Sequence, residues 1–249
     1  MNKIDFIIVS YKSVKLADLL IKSIFKYTKP YKYHIYLVDN SDQKELFLKG
    51  NYSNFTYLKG DNNVPQKGFP SQLSSAHSHG LQTGLKAGKG EYVCFLDVDT
   101  CFLNEWTNHV IPQLEKNIFI SHRWEENRSI ARPQFLITKR EYCDKYNIDL
   151  SIAYQDSGGI FTKKAFENDK PFKILTNSYN DKSLQKYHAI DPGRKIINSG
   201  EQAFLQIKKG PSVDLIPFFW HFGRGTVVGI DSKWYELLGK YLNNNRRKN

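Results

Sequence analysis

Sulfur is scarce in this chain: three cysteines and one methionine in 249 residues. Cys94, Cys101 and Cys143 are odd in number and form no Cys-x-x-Cys pair, which argues against a disulfide framework or a cysteine zinc site. A reducing cytoplasm is then the default expectation, with Cys94 simply part of an apolar core. Long hydrophobic runs are missing too, and none approaches the ~18 residues that a membrane span needs. The opening MNKIDFIIVSYK has one lysine and a short apolar run, too short for a signal h-region, and reads as a first strand. Three motifs are absent as well. No G-x-G-x-x-G follows the first strand, no G-x-x-x-x-G-K-[ST] occurs, and no G-x-S-x-G elbow is present. An ordinary dinucleotide fingerprint, a P-loop enzyme and an α/β-hydrolase are thereby set aside.

Basic charge, by contrast, is plentiful. Thirty-six lysines and arginines against 25 acids give a net charge of +11, which favours anionic partners without choosing among them. The hydrophobic fraction of 40% is that of a globular protein with a proper core.

Hydrophobic periodicity orders the chain. IDFIIVS (4–10) is an apolar run of strand length. A helical stripe over 13–28 follows, opened by Ser13 as a cap and stopped by Pro30. YHIYLVDNSD (33–42) and FTYLKGDN (55–62) read as strands, 71–88 as a helix despite its glycines, and EYVCFLDVDT (91–100) as a fourth strand. Apolar strands alternating with helices predict a mostly parallel α/β sheet. Ligands in such sheets bind beyond the carboxyl ends of the strands, where Asp39, Asp97 and Asp99 fall. A further helix is expected over 104–117 and a strand over 118–124. After a loop-rich stretch, the spacing suggests a short helix over 199–210, a strand in 215–226 and a last helical face on Trp234, Tyr235, Leu238, Tyr241 and Leu242.

The end of FLDVDT carries the chemistry. Two carboxylates spaced D-x-D point to one side of a strand and can share a hard divalent cation, whose shell substrate phosphates complete. A strand-terminating turn with Asp99 as a helix cap accounts for the same residues about equally well.

Several motifs taken together carry a resemblance. IIVSYK, then LVDNSD, then SHGLQTGLKAGKGEYVCFLDVDT resembles the nucleotide-sugar-binding half of a GT-A glycosyltransferase of the family 2 type. The likeness covers about the first 105 residues, plus isolated motifs beyond. It implies a single compact Rossmann-like domain. Residues 1–105 would bind the nucleotide sugar, 106–230 the acceptor, and 231–249 would form a C-terminal helix and basic tail.

Carried over, the resemblance implies a role for each matching residue. Ser10 and Tyr11 would border the nucleotide, and Asp39 would hydrogen-bond the base or ribose; an Asx turn at Asp39 and Asn40 is the plainer reading. His79 would lie near the pyrophosphate, or else on the surface. Asp97 would contact ribose or the metal, with Val98 beside it at the nucleotide, and Asp99 would bind Mn²⁺ or Mg²⁺. WHFGRGT (220–226) is similar to a late His-x-Gly-x-Gly-[ST] element, making His221 a third ligand and Arg224 a phosphate partner. Imidazole among oxygens slightly favours Mn²⁺. A base for inverting transfer would be Asp156, in QDSGG, or Glu201, in SGEQAF; either acid also suits a helix N-cap.

The implied partners are a UDP-type sugar donor and a hydroxyl acceptor, either a glycan or an anionic compound such as a modified DNA base. Two rivals stay open: a haloacid-dehalogenase-like phosphatase using Asp97 and Asp99, and a basic nucleic-acid-binding α/β module.

Overall fold

The computed structural model describes residues 3–41, 44, 52–66, 69, 71–152, 154, 156–187, 201–210 and 212–221. Its centre is the opening apolar run. Strand β1 (Lys3–Ser10) is buried on both faces from Ile4 onward. It pairs in parallel with β2 (Lys32–Asp39) and β4 (Tyr92–Asp97), and β2 pairs in parallel with β3 (Phe55–Lys59). Beyond β4 the direction alternates. Strand β9 (Phe135–Lys139) is antiparallel to both β4 and β6 (Phe119–Ser121), and β10 (Lys173–Ile174) runs parallel to β6. The sheet order is β10-β6-β9-β4-β1-β2-β3, the mostly parallel sheet expected.

Register aligns the strand ends. Val9 lies opposite Asp97 and Ser10 opposite Asp39, so three chemistry-bearing positions share one edge.

Side-chain alternation splits the core in two. Ile4, Phe6 and Ile8 face helix α1 (Val14–Tyr27) and the aromatic group Phe102, Trp106 and Phe218. Ile7 and Val9 face helix α2 (Gln72–Ala87) and its Leu81 and Leu85. The glycines of α2 have a packing reason. A Cβ on Gly80 would come within 2.8 Å of Val9 Cγ2, and one on Gly84 would collide with Ile7. Helix and strand therefore approach more closely than any side chain allows.

A second, antiparallel sheet has the order β11-β12-β13-β5: β11 (Thr176–Asn177), β12 (Glu201–Lys209), β13 (Ser212–His221) and β5 (Thr100–Phe102). A two-stranded ribbon, β7 (Trp124–Glu125) with β8 (Ile130–Ala131), completes the strands described.

Several expectations need correction. Where a short helix was expected over 199–210, residues Glu201–Lys209 form a strand. Glu, Gln, Ala and Leu give it helix-forming composition, but pairing with the aromatic β13 buries Gln202, Ala203, Phe204 and Leu205, and tertiary pairing overrides propensity. Ser13 precedes α1, yet its hydroxyl donates to Tyr11 O at 2.7 Å and makes no cap bond. The helix over 104–117 shrinks to α3 (Thr107–Val110) and a 3₁₀ turn, Ile111–Glu115, because Pro112 lacks the N–H an α-helix needs. The stretch expected to be loop-rich, 162–195, is entered by one helix, α5 (Gly159–Glu167), while α4 (Arg140–Lys145) precedes it. Residues 222–249, with Arg224 and the anticipated last helix, lie outside the described residues.

Candidate active site

The acid pair is built by a turn rather than by strand alternation. β4 ends at Asp97, Val98 and Asp99 form a tight turn, and β5 starts at Thr100. Thr100 Oγ1 closes that turn by donating to Asp97 O at 2.7 Å. Strand β5 then leaves the first sheet to pair with β13, placing Thr100 opposite His221 and Phe102 opposite Phe219. Across the next ladder His221 lies opposite Glu201. Turn and two registers thus bring Asp99, His221 and Glu201 into a row.

Distances bear this out. His221 Nε2 is 3.6 Å from Asp99 Oδ1, and its Nδ1 is 3.5 Å from Glu201 Oε2. The ligand atoms of Asp97, Asp99 and His221 all lie within 4.8 Å of one another. Ligands about 2.1 Å from a shared ion sit up to about 4.2 Å apart, so a small closing movement completes such a shell. Two carboxylates and one imidazole, with Asp99 and His221 buried and Asp97 partly open to solvent, fit a borderline-hard divalent ion.

Charge supports the same focus. Burial opposes the charged form of His221, but Asp99, Glu201 and Asp97 raise its pKa above the ordinary histidine value. Burial alone would raise Asp97, yet His77, His221 and Arg132 together lower its pKa.

His77 is a partner that sequence reasoning missed. Its Nε2 lies 3.2 Å from Asp97 Oδ1. Burial works against its charge, but Asp97 and Asp156 raise its pKa overall. The expected His79 is directed elsewhere: its Nδ1 is 3.0 Å from Ser75 O, and it lines a cavity of about 280 Å³ with Lys59, Gly60 and Lys86. The signal was available. His77 shares a helical stripe with Gly80, Leu81 and Gly84, the face that packs on the sheet, whereas His79 is turned more than half a revolution away.

His122 was missed as well. It follows the last residue of β6, which runs in the same direction as β4, so the rule about carboxyl ends applied there too. Its Nε2 lies 3.7 Å from Glu201 Oε2, and burial lowers its pKa more than Glu201 raises it. Burial would raise Glu201, but the two imidazoles hold it well below the ordinary range. Arg123 Nη1 donates to Glu201 Oε1 at 2.9 Å and its guanidinium stacks 3.4 Å over the Tyr179 ring.

The other named residues divide. Ser10 is fully buried at the same edge, and Tyr11 beside it is 40% exposed. Asp39 makes the Asx turn: its Oδ1 accepts from Ser41 N at 2.9 Å and Ser41 Oγ at 2.6 Å, while Tyr57 OH donates to Oδ2 at 3.0 Å. Asp156 stands at the start of the α5 turn and accepts from Arg132 and from Ser157 N. Ser157 Oγ is 3.4 Å from His77 Nδ1, so Asp156 connects through Ser157 and His77 to Asp97.

A mostly parallel sheet whose acid-rich strand ends converge defines a GT-A type fold. Comparison with known proteins agrees. The model of "Glycosyl transferase family 2" matches residues 5–170, and the chain belongs to that family. Among solved structures, the mannosyltransferase PcManGT from Pyrobaculum calidifontis, in complex with GDP-Man and Mn²⁺, superposes with a TM-score of 0.54 at 16% identity, covering 70% of this chain and 54% of that one. S. aureus TarS, residues 1–349, gives a TM-score of 0.48 at 17% identity, covering 70% of this chain and 60% of that one. This chain therefore spans little more than half the length of either neighbour. No curated protein sequence matches it.

Proposed function

We propose that this protein transfers a sugar from a nucleoside diphosphate sugar, UDP-type favoured, to a hydroxyl acceptor with inversion, in the presence of Mn²⁺ or Mg²⁺. The observation carrying this reading is the convergence of Asp97, Asp99 and His221 at the carboxyl edge of β1, β2 and β4. Those three residues would hold the cation. When bound, it supplies positive charge to offset the charge developing on the departing diphosphate.

The remaining steps belong to the chain. Ser10 and the exposed ring of Tyr11 border the nucleoside edge, with Val98 lining the turn. Asp39 already has partners in Ser41 and Tyr57, so it reaches a base or ribose by exchanging one of them. His77, held between Asp97 and Ser157, orients the Asp97 carboxylate. Asp156, whose carboxylate accepts from Ser157 and Arg132, is preferred as general base, because Glu201 faces His221, one of the residues that would hold the cation. It must exchange Arg132 for the acceptor hydroxyl to accept its proton. Arg224 remains a phosphate partner on motif alone. Arg123, Arg128 and Arg132 cluster near Asp156 and Glu201, which with the net charge of +11 supports an anionic acceptor.

The test is a panel of UDP- and GDP-sugars, each with Mn²⁺, Mg²⁺ or chelator. Free nucleoside diphosphate is expected from one donor and only with metal. Phosphate released from sugar phosphates without any nucleotide would replace this reading with the phosphatase. The nucleic-acid-binding reading would need tight, salt-sensitive duplex binding with no donor turnover.

A further inference from the structure

Glu201 has the wrong surroundings for a base and the right ones for another task. It lies directly across the β12/β13 ladder from His221, where side chains on one face stand about 5 Å apart. Its Oε2 faces His221 Nδ1 at 3.5 Å and His122 Nε2 at 3.7 Å. Its Oε1 is fixed by Arg123, whose own guanidinium is stacked on Tyr179. The opposite nitrogen of His221, Nε2, faces Asp99. One imidazole thus stands between two carboxylates, one anchored by an arginine and the other in the acid pair.

A histidine that ligates through one nitrogen needs its proton on the other, and the group beside that other nitrogen decides which tautomer forms. Resting on the cation reading above, we infer that Glu201 is a positioning residue. It accepts the Nδ1–H of His221 and turns the Nε2 lone pair towards Asp97 and Asp99. Arg123 keeps the carboxylate aimed, and His122, wholly buried behind it, closes that side to water. Glu201 then touches neither donor nor acceptor.

The experiment has two independent readouts on the wild type, Glu201→Gln, Glu201→Ala and His122→Ala, with thermal melts to identify any variant that fails to fold. The first is the tautomer of His221 in metal-free protein, from long-range ¹H–¹⁵N correlations at a pH where the ring is neutral. Nδ1–H is expected in the wild type and lost in Glu201→Ala. Glu201→Gln, which retains one acceptor oxygen for two donors, should be intermediate and fold even if the alanine variant does not. The second is Mn²⁺ affinity by electron paramagnetic resonance titration without nucleotide. Loss of this outer carboxylate should weaken binding about 10- to 100-fold.

The outcomes separate the two ideas. An unchanged tautomer and unchanged Mn²⁺ affinity in folded Glu201→Ala would overturn the positioning role and leave the transferase reading standing. A Glu201-dependent tautomer in a wild type that binds no Mn²⁺ would support positioning and sink the cation reading. A second ion per chain, lost in His122→Ala, would overturn the inference by making His122, Glu201 and His221 ligands themselves.

Discussion

Asp97 and Asp99 differ in their company, and so should their variants. Asp99 faces His221, whereas Asp97 is tied to His77. On the proposed function, Asp99→Asn would remove a cation ligand while keeping the side-chain shape. Transfer should fall about 100-fold or more, since a bound cation supplies several kcal/mol at the leaving group. Circular dichroism and melting should remain those of the wild type; undiminished, metal-independent transfer would contradict the assignment. The two neighbouring histidines of α2 give a sharper contrast. His77→Ala should cut kcat with a given donor, while His79→Ala, whose ring lies on another helix face, should change kcat less than twofold or so. Steady-state kinetics of both variants decides this.

Helix α2 shows how an element can be legible in sequence while its detail is not. Its span was readable from periodicity, and Ser71 caps it by accepting from Ser74 N. The face that meets the sheet is only faintly marked, by Leu81 and Leu85, because its glycines add nothing to a hydrophobic stripe. Reading Gly80 and Gly84 as close-packing positions would have pointed to His77. Gly80→Ala should destabilise the fold by about 1–3 kcal/mol through overpacking against Val9, measurable by urea unfolding. In the β12/β13 hairpin, Gly210 adopts φ +60° with open space around it. Gly210→Ala should therefore cost about 1–2 kcal/mol from backbone strain alone, and Gly210→Asn less, by the same measurement. The hairpin was the weakest part of the sequence reading. The strand character of β12 comes from cross-strand pairing with β13, Phe219, Trp220 and His221 included, which single-residue propensity does not register.

At the scale of the molecule, the first hundred residues were readable because parallel strands buried on both faces leave continuous apolar runs. The acid pair and His221 were also legible as motifs. Their junction through β5 was not, since a three-residue strand has no pattern of its own. If the site holds a cation and a diphosphate together, either alone should stabilise the fold less than both. Mn²⁺ with a nucleoside diphosphate at about 100 times its dissociation constant should add about 2.7 kcal/mol, seen as a rise in melting temperature that chelator reverses. No helix among the described residues is long and apolar enough to cross a membrane.

The β5–β13 pairing has one more consequence, for folding order. Asp99 and His221 are more than a hundred residues apart in the chain, and a loop of that length closes slowly. The parallel sheet can form, and present its two acids, well before the hairpin docks. On the proposed function, Mn²⁺ affinity should therefore lag behind secondary structure during refolding and report the last long-range contact to be made.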